Sequence, residues 1–113
     1  MKLSEINLRV WNTRSKEMIY FNLSQLNILR EVKMHWEIYN VMIATRIKDE
    51  RGKDVFEGDI VKADGYFGEF LAEVIFDNKT AQFKLKKIDG EEFNLDPLCN
   101  VIGNIYQMPN LMV

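Results

Sequence analysis

Apolar residues recur mostly at every second position of this chain. Ile6, Leu8 and Val10 alternate with Asn7, Arg9 and Trp11, the spacing of a strand with one face turned inward. The polar run "NTRSKE" reads as a turn and "MIYF" as its returning partner, so residues 6–21 predict a hairpin. "NLSQLNIL" fits neither period; Ser24 is a candidate cap for one helical turn, but the apolar residues build no long helical face. Next, Val32, Met34, Trp36 and Ile38 alternate with Glu31, Lys33, His35 and Glu37. That alternation predicts a half-buried strand, although Glu, Lys and Met individually favour helix. "VMIATRI" predicts another strand.

The C-terminal part is punctuated more often. Gly52 closes the tight loop "KDERGKD", a place where positive φ is commonly needed. Val55-Phe56 leads through Gly58-Asp59 into a strand from Ile60 to Ala63. After "DGYFGE", Phe70, Ala72, Val74 and Phe76 line one strand face; "DNKT" turns the chain, and Ala81, Phe83 and Leu85 line the next. Asp89-Gly90 signals a two-residue type I′ hairpin, whose central residues both need positive φ. Phe93 and Leu95 continue the meander, Pro97 interrupts it, and "VIGNIY" supplies a last strand. The expected fold is mainly β with little helix, in a single domain over residues 1–113. An N-terminal β subregion with its hairpin spans 1–45, and 46–113 reads as a five-strand, SH3-like small β-barrel.

Composition narrows the function classes. The 113 residues, 47% hydrophobic, suffice for a self-supporting core. Fifteen basic and 17 acidic residues give a net charge of −2, so no global field draws nucleic acid or anionic lipid. The single cysteine, Cys99, fits a reducing compartment. "MKLSEINLRV" lacks a signal peptide's apolar core, and no apolar run approaches the ~18 residues that span a bilayer. A cytoplasmic protein with no membrane partner is expected.

Candidate chemistry is thin. Asp49, Glu50, Asp54, Glu57, Asp59 and Asp64 are rich enough in carboxylates to suggest a hard cation, but they lack the alternating ligands and terminal Glu of a calcium loop. Turn chemistry is the better account: Asp49 and Asp59 binding backbone N–H groups, with glycines supplying unusual angles. His35 has no serine or cysteine near it in sequence, and Cys99 reads as a small core residue rather than a nucleophile. No His/Cys cluster has zinc spacing, and no cofactor or metal is expected. Lys84 and Lys86 share a strand face beside Lys79 and Lys87; with Tyr66 or Phe67 to stack on, they could bind single-stranded nucleic acid. The same lysines equally discourage edge-to-edge aggregation. Tyr66 and Phe67, between Gly65 and Gly68, point to opposite faces if extended, so contact with a protein partner and core packing are both open.

Three blocks together resemble a known family: "VWNTRSKEM", "VMIATRIKDERGKDVFEGDIV" and "VIGNIYQMPNL" resemble the YopX family, encoded largely by bacteriophages and prophages of Gram-positive bacteria. Trp11 and Met18 match the first block. Asp49, Gly52, Lys53, Phe56, Glu57, Gly58, Asp59, Ile60 and Val61 match the second. Val101, Ile102, Gly103, Asn104, Ile105, Tyr106, Pro109 and Leu111 match the third. Asn12 stands where the family commonly has Asp, and Arg46 where it commonly has Gly; a non-glycine residue resists positive φ there. The resemblance implies a β-rich fold, a phage or prophage origin and a role inside the infected host cell. It admits self-association into a homo-oligomer and brings no catalytic residues. The expected function is therefore a non-enzymatic accessory module that binds a host or phage protein. Nucleic-acid binding through Lys84, Lys86 and Lys87 is the alternative, not favoured at this net charge.

Overall fold

A computed structural model describes residues 1–96 and 98–112. The protein is mainly β, with two antiparallel sheets. The chain divides into two compact units, Met1–Ala44 and Thr45–Val113.

In the first unit, β1 (Asn7–Asn12) and β2 (Glu17–Asn22) form the expected hairpin, and β3 (Tyr39–Lys48) pairs with the other edge of β1. Asn12 makes the hairpin turn: its Oδ1 accepts from the amides of Arg14 and Ser15 at 2.9 and 3.0 Å. Trp11 and Met18 are directly opposite each other across the ladder. Leu8, Val10, Phe21 and Val32 form the core, with Ile19, Leu23, Ile28, Leu29 and Tyr39 packed around it.

The strand expected over 31–38 is absent. Its first half belongs to α1 (Leu26–Met34), and Trp36–Ile38 form one 3-10 turn. Leu, Arg, Glu, Lys and Met are good helix formers, and Ile28, Leu29 and Val32 fall on one side of the helix, over the sheet. Of the four alternating apolar residues only Val32 is buried; Met34 and Trp36 remain 66% and 74% exposed. Eight residues of alternation cannot outweigh a nine-residue helix whose inward face extends back to Ile28.

In the second unit, β3 turns back into β4 (Asp54–Phe56), which lies beyond β3 in the sheet order β2-β1-β3-β4. The other sheet contains β5 (Asp59–Gly65), β6 (Gly68–Asp77), β7 (Gln82–Lys86), β8 (Glu92–Asn94) and β9 (Cys99–Asn104), ordered β8-β7-β6-β5-β9. β8 and β9 are its edges, and no ladder closes it into a barrel among the described residues. Val55, Val61, Ala63, Ala72, Val74, Leu85, Cys99 and Val101 form the core beneath, joined by Phe70, Phe83 and Leu95.

Three local expectations change. The Asp89-Gly90 turn is not type I′: only Gly90 has positive φ (+93°), and the loop from Lys87 to Glu91 closes with Asp89 Oδ1 accepting the Glu91 amide at 2.9 Å. Ala81 is not on the β7 face but in the preceding turn at φ +54°. Phe76 shares its strand face with buried Ala72 and Val74, yet is itself exposed at the end of that row. The break expected at Pro97 lies outside the described residues.

Arg46 adopts φ +67°. The backbone angle that favours glycine is thus present with an arginine in it. Around it, Thr45 Oγ1 donates to the Val55 carbonyl at 2.8 Å and accepts from the Ile47 amide at 3.1 Å, which fixes the kink from both sides.

Candidate functional site

The acidic stretch from Asp49 to Asp59 is built into turns. Asp49 Oδ1 accepts from the amides of Arg51 and Lys53, both at 2.9 Å, and Oδ2 accepts from Val101 N at 3.0 Å. The carboxylate thus ties the β3–β4 turn to strand β9, where Arg51 Nη2 also donates to the Val101 carbonyl. Burial pushes the Asp49 carboxyl up, but the Val101, Lys53 and Arg51 amides and the Arg51 charge outweigh it and leave the pKa lowered. Gly52, at φ +81°, completes the turn.

Asp59 is 1% exposed, and its Oδ2 accepts from the Phe56 amide at 2.8 Å. Between them sits Gly58 at φ +88°, its amide on the Val74 carbonyl and its carbonyl on Ile105 N. Asn104 does the same at the C-terminal turn: Oδ1 accepts from the amides of Tyr106 and Gln107 at 3.0 and 2.8 Å, and Nδ2 donates to Gln107 Oε1. A Cβ on Gly103 would lie 2.6 Å from Met108 Sδ, so that turn packs against bare backbone. Among the described residues, no three His, Cys, Asp or Glu side chains converge to hold a metal ion.

His35 caps the end of α1, with Nε2 3.9 Å from Glu31. Cys99 is fully buried; burial, and after it the negative charges of Asp49, Asp96, Glu50 and Asp59, push its thiol up to about 11, far from thiolate chemistry at neutral pH.

The lysines do not form one open basic face. Lys84 Nζ is 2.9 Å from Asp77 Oδ2, and the bond from Lys84 is the main reason the Asp77 pKa falls to about 2. Lys87 lies 3.7 Å from Asp89, with its ammonium 5.8 Å from the centre of the Phe70 ring. Lys86 stands across the ladder from Glu73, while Lys79 is exposed in the preceding turn.

A family-model comparison matches the description "YopX protein" over residues 7–113. The chain belongs to the YopX family. Two solved structures share the fold. Protein EF1440 from Enterococcus faecalis aligns with a TM-score of 0.64 at 20% identity, covering 96% of this chain and 98% of that one. Protein yopX from Bacillus subtilis aligns at 0.58 and 18% identity, covering 95% of each. No curated protein sequence matches.

The YopX-family motif residues and the exposed aromatics of this chain lie in different places. Tyr66 and Phe67 form the tip of the β5–β6 hairpin, 97% and 99% exposed, with ring centroids 5.3 Å apart, edge to face. Gly65 pairs with Gly68 behind them. Gly68 takes the positive φ (+111°), and a Cβ on Gly65 would lie 2.8 Å from the Phe70 ring. The glycines meet the turn's backbone demands, so nothing in the turn requires an aromatic at either tip position.

Sequence reasoning missed a groove on the outer face of the same sheet. It has a volume of about 390 Å³ and is lined by Ile60, Ile75, Ile105 and Pro109 with Glu73 and Lys86. Burial raises the Glu73 pKa; the Lys86 charge opposes the rise and Glu57 adds to it. The signal in the sequence was Glu73 between Ala72 and Val74, an acid on the reverse of a core strand.

Proposed function

We propose that this YopX-family chain is a non-enzymatic binding module that engages a host or phage protein in the bacterial cytoplasm, using the β5–β6 hairpin tip as its contact. The near-complete exposure of Tyr66 and Phe67 carries the reading. Two such side chains put on the order of 300 Å² of largely apolar surface at one point, and aromatics are enriched where partners dock. Their edge-to-face contact holds them together before binding, which lowers the ordering cost of association. The five-stranded sheet, SH3-like in this reading, serves as the stage that holds the hairpin out.

Nucleic-acid binding draws less support, because Lys84 is committed to Asp77 and Lys87 stands beside Asp89. The test is capture from a bacterial lysate on immobilised full-length protein, beside a Tyr66→Ser/Phe67→Ser variant of matched melting temperature. At least one protein should be retained by the wild type and lost from the variant. Identical retained sets would sink the proposal, and material released by nuclease would favour the nucleic-acid reading instead.

A further inference from the structure

The hairpin that presents Tyr66 and Phe67 has a second feature. One step behind the glycines, Asp64 and Glu69 occupy directly opposing positions of the β5–β6 ladder. Residues paired this way project to the same face with their Cβ atoms ~5 Å apart, and like charges so placed destabilise the ladder. Both side chains are exposed, and neither takes part in an ion pair or hydrogen bond among the described residues. Lys62, two residues back on the same face of β5, pairs with neither. Three other acids at the surface of this unit do have a cation: Asp54, Asp77 and Asp89 each have a lysine ammonium at 2.9, 2.9 and 3.7 Å. At the aromatic tip it leaves two carboxylates facing each other.

We propose that the partner presents an apolar pocket rimmed by lysine or arginine, which takes Tyr66 and Phe67 while its cations neutralise Asp64 and Glu69; this rests on the binding-module reading above. Insertion of the rings brings the two carboxylates to the pocket's edge, where charge complementarity accelerates encounter and rejects wrong partners. The repulsion present in the free hairpin is relieved only in the complex, so the acidic pair favours the bound state. The same pair repels phosphate, which disfavours both a nucleic-acid strand and an anionic bilayer as the occupant of this tip.

The experiment extends the lysate capture with two further variants, Glu69→Lys and Asp64→Lys/Glu69→Lys. The proteins of interest are those whose retention requires Tyr66 and Phe67; the strongest is then purified and titrated against each variant. The double reversal should weaken binding about tenfold or more, and the wild-type affinity should fall as NaCl is raised. Glu69→Lys alone places opposite charges across the ladder, so it should raise the melting temperature by about 2 °C while weakening binding. A purely structural acidic pair would not move stability and affinity in opposite directions. If aromatic-dependent partners bind the double reversal as tightly as the wild type, the basic rim is wrong and the binding module stands. If no protein depends on the aromatics, both fall. Tip-dependent retention of RNA, DNA or phosphatidylglycerol vesicles would overturn the basic rim.

Discussion

At the β3–β4 turn, two oxygens of Asp49 take three backbone amides, and almost no water reaches them. At the tip of the β5–β6 hairpin, two carboxylates take none, and two aromatic rings stand almost wholly in solvent. Both are tight connections in the same unit, and both use glycine for the difficult backbone angle. They differ in where the side chains point. In the motif turns, the polar groups are turned inward to satisfy amides that the fold itself has buried, which accounts for Asp49, Asp59 and Asn104 as parts of the fold. At the tip nothing is satisfied internally. The family signature and the exposed aromatic tip are therefore built on opposite principles in this molecule.

The sharpest way to break that contrast is Asp49→Ala. It orphans three amides and unties the turn from β9, at a cost of about 3 kcal/mol or more. Urea denaturation would read the loss, and an unchanged midpoint would mean the turn does not depend on its carboxylate. Gly58→Val places a β-branched residue at φ +88° and should cost about 2 kcal/mol. Equal melting temperatures for that variant and the wild type would refute the role assigned to the glycine.

Arg46→Gly should act in the opposite direction. Relief of the left-handed strain outweighs the entropy of the freer unfolded chain, giving about 1 kcal/mol of added stability and a melting temperature a few degrees higher. Acid sensitivity is a smaller effect. Asp77 falls from an ordinary 3.8 to about 2, and Asp49 is lowered as well. Groups lowered on folding contribute stability that is whole above their unfolded values and lost as pH falls through the folded ones. Unfolding followed from pH 5 to pH 2 should therefore show stability falling below about pH 4, less steeply in Asp77→Asn. The smallest effect is at the tip: Tyr66→Ser/Phe67→Ser should change stability by no more than about 0.5 kcal/mol. A large loss there would place those rings in the fold and erase the contrast.

Much of the β architecture was legible because it is local. Alternation in Leu8–Val10 and Ala72–Val74 has the period of a pleat, and "NTRSKE" marks a turn that Asn12 does close. Gly52 could be assigned positive φ from its loop alone. The helix was not legible, because period two over 31–38 competes with residues of good helix propensity, and the decision lies with the sheet that Ile28, Leu29 and Val32 cover. The Asp89-Gly90 turn misled for a related reason: its geometry follows from where the Asp89 carboxylate finds an amide, which the dipeptide does not specify.

By itself, the sequence determined a β-rich chain, its YopX membership and most of its turns, since period, glycine placement and ordered motifs are properties of neighbouring residues. Tertiary structure alone decided that Asp49 reaches Val101, that Lys84 is held by Asp77, and that Asp64 faces Glu69 behind the aromatic tip. The first depends on which strand the turn is folded against; the other two depend on strand register, where a shift of one residue would turn the side chains to the other face.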